Sequence, residues 1–110
     1  MIKRNIHNKY YNSNVNSKEN LLYNFVGAYF HQDVDYDDET VVKEYIFDSS
    51  NDMDQIALLC EAIDDLINTT EFTSEEKKEF ISELNSNTCN KENALDWLLK
   101  MKEYLIKNSN

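Results

Sequence analysis

The chain contains no proline and a single glycine, Gly27, in 110 residues. Hairpins and sheets draw on glycine for the positive-φ positions of their tight turns. A chain this poor in both residues is better served by helices joined through Asn, Ser, Asp and Thr. The fold expected is all-α, a compact helical bundle of about five helices.

Apolar periodicity places those helices. Leu22, Phe25, Val26, Tyr29 and Phe30 keep the i, i+3, i+4 spacing of one buried face, so a helix should follow Ser17 and run to about Phe30. Gly27 inside it costs up to ~1 kcal/mol against Ala, which suggests another backbone packed close there. A second helix is expected over 38–48, capped by Asp37 or Asp38, with Val41, Val42, Tyr45 and Ile46 as its stripe. The third should run from Ser50 or Asn51 to about Asn68, burying Ile56, Leu59, Cys60, Ile63, Leu66 and Ile67. Thr73-Ser74-Glu75-Glu76 reads as a capping box, opening a helix that buries Phe80, Ile81 and Leu84. A last helix, capped near Asn90 and spanning about 91–107, carries Ala94, Trp97, Leu98, Met101 and Leu105 on one side. Residues 1–18 are rich in Asn, Lys and Tyr, and read as a loosely ordered polar arm that Tyr10, Tyr11 and Val15 could pin to the body. Residues 19–110 are expected to form a single helical domain.

Acids outnumber bases 21 to 11, a formal charge of −10. Nucleic acid and anionic membranes would be repelled, whereas a basic protein would be attracted and steered in. The opening MIKRNIHNKYYNS has polar residues where a secretory signal needs an apolar core, and no stretch approaches a membrane span. A cytoplasmic location is expected. Cys60 and Cys89 match neither CxxC nor zinc spacing and read as free thiols.

Chemistry concentrates in residues 29–40, YFHQDVDYDDET. Asp33, Asp35, Asp37 and Glu44 stand at positions 1, 3, 5 and 12 of a calcium loop. Position 6, however, is Asp38 where the turn wants Gly, position 8 is Thr40, and no second loop exists to pair with it. His31 beside carboxylates is weak evidence for acid–base catalysis or a transition metal, and His7 lies in the polar arm. No Gly-rich phosphate loop, nucleophile elbow or Cys/His pair is present, so neither an enzyme nor a cofactor is expected. Tyr29 and Phe30 would hold the end of the first helix in the core. Asp37, Asp38 and Glu39 would complement the dipole of the next. Acids continue through Glu44, Asp48, Asp52 and Asp54 with only Lys43 between, which leaves a negative strip beyond what capping needs.

Over residues 20–46 the sequence resembles the small acidic immunity proteins of bacterial contact-dependent growth inhibition systems. Tyr29, Phe30, His31, Gln32 and Asp33 match their most recognisable segment, and Val34 stands where the family usually carries a large aromatic. The resemblance implies a cytoplasmic inhibitor that caps the toxic C-terminal domain of a large exported toxin, often a nuclease. A nuclease groove is basic because it holds phosphate, so the acidic strip suits such a partner. Asp33, Asp35, Tyr36, Asp37, Asp38, Glu39 and Glu44 are the expected toxin-facing residues. Tyr36 is the first candidate aromatic anchor and Tyr45 the second. The other reading is a small acidic regulatory or calcium-responsive adaptor using the same loop.

Overall fold

Four of the helices begin where a side-chain oxygen can take up an orphan backbone amide. The computed structural model describes residues 6–11, 17–30, 37–49, 52–84 and 91–109, with six α-helices among them. Ser17 Oγ accepts from the Asn20 amide at 3.2 Å and opens α2, Lys18–Tyr29. Asp37 accepts from the Thr40 amide at 2.8 Å and opens α3, Asp38–Asp48. Asp52 accepts from the amides of Asp54 and Gln55 at 3.0 and 3.2 Å and opens α4, Met53–Asn68. The capping box is reciprocal: Thr73 Oγ1 accepts from the Glu76 amide at 3.0 Å, and Glu76 accepts from the Thr73 amide at 2.8 Å. That box opens α5, Ser74–Leu84. A 3₁₀ turn, Lys91–Asn93, leads into α6, Ala94–Asn108, and Asn90 lies outside the described residues.

The five helices expected from periodicity are α2 to α6, and each turns its apolar stripe inward. Helix α2 packs on α4, α3 packs on α6, and α6 also contacts α4 and α5. Leu22, Phe25, Val26, Leu59, Ile63, Leu66, Phe80, Ile81, Leu98, Met101 and Leu105 are fully buried. Cys60, Ile67 and Leu84 sit at the rim of that core, half-buried. Lys77 is the one buried charged side chain among the described residues, and its Nζ donates to the Ile67 carbonyl at 2.9 Å near the end of α4. A cation there satisfies a late carbonyl and meets the negative end of the helix dipole.

Residues 6–11, within the N-terminal arm, pack on the body. Residues Ile6–Tyr11 form the short helix α1, packed against α2 and α5. Ile6 and Tyr10 are buried, with the Tyr10 ring 5.1 Å from that of Phe80. His7, without a visible partner in the sequence, places Nε2 2.6 Å from Glu83 and its ring 4.8 Å from Phe80. Tyr11 is exposed, and Val15 lies outside the described residues.

Gly27 corrects one expectation. A Cβ there would meet Leu84 Cδ2 at 3.7 Å, an ordinary contact with a side chain. Among the described residues no second backbone comes within 4 Å of that position, so none of them requires the glycine by close packing.

Candidate partner-binding face

The end of α2 is fixed by aromatic packing. Phe30, just past the helix, is fully buried, with its ring 5.3 Å from Phe25 and 4.9 Å from Trp97. Tyr45 of α3 lies 4.9 Å from Phe25 and 5.1 Å from Tyr29, both edge-on. Edge-to-face rings at these separations contribute beyond their buried area. One chain of rings, Tyr29, Tyr45, Phe25, Phe30 and Trp97, thus joins α2, α3 and α6. Tyr29 also donates its hydroxyl to Asp48 at 2.9 Å. Burial first and the Asp48 carboxylate second push the phenol up to about 12. Of the motif residues, His31, Gln32 and Asp33 lie outside the described residues, as do the expected contacts Asp35 and Tyr36.

The remaining expected contacts are the N-cap of α3 and three residues on it, and three of the four are engaged within the molecule. Asp37 is the N-cap, and the hydrogen bonds from Thr40 hold its carboxyl below the usual range. Asp38 accepts from Trp97 Nε1 at 2.9 Å. Glu39 accepts from Asn108 Nδ2 at 3.1 Å and pairs with Lys107 at 3.1 Å. The amide first, and the ammonium beside it, hold the Glu39 carboxyl below the ordinary glutamate range. Asp38 and Glu39 therefore fasten α3 to α6. Glu44 differs: it is exposed, and makes no ion pair with a described residue.

Helix α3 starts at Asp38, and this bears on the calcium reading. Position 6 of the would-be loop is already helical, so residues 38–44 run as regular helix where a calcium loop turns sharply around its ion. Asp33 and Asp35, at positions 1 and 3, lie outside the described residues. Among the described residues no group of three or more His, Cys, Asp or Glu side chains could hold a metal ion.

The outer side of α3 carries a residue that the sequence reading passed over. Thr40, Lys43, Glu44, Phe47 and Asp48 are exposed and share one face, and Phe47 is 76 % exposed. The signal was available, because Phe47 falls out of step with the stripe Val41, Val42, Tyr45 and Ile46. Tyr45, by contrast, belongs to the core, only 5 % exposed, with its hydroxyl accepting from Gln55 Nε2 at 3.1 Å. Around the corner, Met53 opens α4 and is 49 % exposed.

A groove of about 430 Å³ between α4 and α6 is lined by Met53, Ala57, Cys60 and Ile106 among others. The Cys60 thiol there is pushed up by burial. No helix is long and apolar enough to cross a membrane among the described residues. Comparison with curated proteins and with solved structures finds no match. A family model described as CdiI immunity protein matches residues 18–105. That span runs from the first residue of α2 into the last turns of α6 and takes in the aromatic chain, the capped start of α3 and its clamp to Trp97; the chain belongs to the family of CdiI immunity proteins.

Proposed function

We propose that this chain neutralises a cognate toxin domain by binding it, in the cytoplasm and without chemistry of its own. The toxin domain is proposed to be a basic nuclease, the C-terminal part of a large exported protein of a contact-dependent growth inhibition system. The observation that carries the reading is the family match across nearly the whole bundle. The charge of −10 supports the chemistry of the partner, since a phosphate-binding groove is cationic. Inhibition then follows from occupancy, with steered association favouring capture before the toxin meets its substrate.

The proposed docking residues are Asp33, Asp35, Tyr36, Asp37, Asp38, Glu39 and Glu44. Their weights differ. Glu39 is partly neutralised by Lys107, so its field at a distance is reduced. Asp37, exposed at the N-cap of α3, and Glu44, exposed on its second turn, retain theirs. The test is co-expression with the toxin domain encoded immediately upstream, followed by purification through a tag on one partner. A stoichiometric complex and restored growth are expected. A toxin domain equally lethal with and without this chain, and no complex, would overturn the reading.

A further inference from the structure

We propose that the outer face of α3, centred on Phe47, is the surface that docks the toxin domain. The inference rests on the functional reading above and names the anchor within it. Phe47 projects from a helix whose other large apolar side chains, Val41, Val42, Tyr45 and Ile46, are all buried. Its 76 % exposure compares with 39 % for Leu58 and Leu99, which keep most of their surface covered. Two carboxylates flank it on that face, Glu44 one turn before and Asp48 next in the chain, with Lys43 beside Glu44. An exposed aromatic anchor on a chain of charge −10 matches a basic protein surface with an apolar recess, which is the arrangement of an interface hot spot with a charged rim.

The face is also rigid. Asp38 to Trp97 and Glu39 to Lys107 and Asn108 tie down the first turn of α3. Tyr29 to Asp48 and Gln55 to Tyr45 tie down its last turns. A surface held at both ends loses little freedom on binding, so contacts made by Phe47 convert efficiently into residence time.

The experiment measures association and dissociation of purified full-length chain and cognate toxin domain at two salt concentrations. Phe47→Ala should keep the wild-type melting temperature and dissociate at least ~30-fold faster, the behaviour of a hot-spot residue. Leu99→Ala, on α6, should dissociate at the wild-type rate. If Phe47→Ala lowers the melting temperature, Glu44→Lys carries the test, and should slow association about tenfold at low salt. A wild-type complex whose dissociation Phe47→Ala leaves within about twofold, and whose association Glu44→Lys leaves unchanged, overturns the face and spares the function. A wild-type chain that forms no complex overturns both.

Discussion

The indole nitrogen of Trp97 donates to Asp38 Oδ2 at 2.9 Å, across 59 residues of sequence, and joins α6 to the first turn of α3. The ring itself is only 8 % exposed and lies edge-on to Phe30. Burial and hydrogen bond are therefore separable by substitution. Trp97→Ala should cost ~3–5 kcal/mol through lost contacts and a cavity. Trp97→Phe keeps much of the burial and should cost less. In a cycle of Trp97→Phe with Asp38→Ala, the coupling should be ~1–2 kcal/mol, that of a bond to a charged acceptor at partial exposure. Urea unfolding of the four proteins measures it, and strictly additive losses would mean that the contact contributes nothing.

The clamp beside it responds to pH. Glu39 has its carboxyl held below the ordinary value of 4.5 by Asn108 and Lys107. A depressed folded pKa contributes stability that is full above the unfolded value and is lost as pH falls through the folded one. Glu39→Gln should thus melt below wild type at pH 7, and the gap should narrow as pH falls below the ordinary glutamate value and through the lower folded one. The alkaline side has the opposite sign. Tyr29 is raised from 10.0 to about 12, so its contribution is complete below pH 10 and disappears as pH rises toward 12. Tyr29→Phe should lack that alkaline component of destabilisation. Thermal melts of both variants across pH check the two windows, and a Glu39→Gln gap that stays constant into acid would refute the assignment.

Which of these features could be read in the sequence follows from how local their chemistry is. The caps at Ser17, Asp37 and Thr73 with Glu76 involve residues within one turn, so they were legible. The start of α4 shifted from Ser50 or Asn51 to the Asp52 cap, because three adjacent polar residues can all play that part. Helix α1 is too short to show a period, and its burial depends on Phe80, far away in the chain. The roles of Asp38 and Glu39 were hidden for the same reason. Their partners lie 59 and 69 residues on, and a carboxylate at a helix start looks alike whether it faces a toxin or a tryptophan. Phe47 was legible as an aromatic off the stripe, while its exposure needed the packed α3 to become visible.

Gly27 offers a stabilising change. The position lies within α2, and an added methyl would touch Leu84 at 3.7 Å without displacing it. Alanine removes the entropy penalty of glycine in a helix, so Gly27→Ala should raise stability by ~0.5–1 kcal/mol. A shift of the urea midpoint to higher concentration is the expected reading. A lower midpoint would show that this part of α2 needs the missing Cβ after all.

Calcium should leave the protein unchanged. Asp37 caps α3, and from Asp38 onward the backbone is regular helix rather than a loop that wraps an ion. Melting curves in millimolar Ca²⁺ and in chelator should superimpose. A saturable rise of several degrees would require α3 to unwind over its first two turns, and would restore the adaptor reading.

The acids ahead of α3 lend themselves to a kinetic test that spares the fold. Asn caps a helix as well as Asp does, so Asp37→Asn can keep the bond from the Thr40 amide while removing a charge. Combined with Asp35→Asn it takes two negative charges from the proposed docking region. Exposed charges of this kind act on the rate of encounter, and their reach shrinks with the Debye length, about 10 Å at 0.1 M salt. The double variant should melt like the wild type, associate severalfold more slowly with the toxin domain at low salt, and show a flatter salt dependence. Tyr36→Ala should instead speed dissociation if its ring shares the anchoring with Phe47. Association of the Asn variant at the wild-type rate in low salt would move the docking charges away from residues 33–38, toward Glu44 and the corner between α3 and α4.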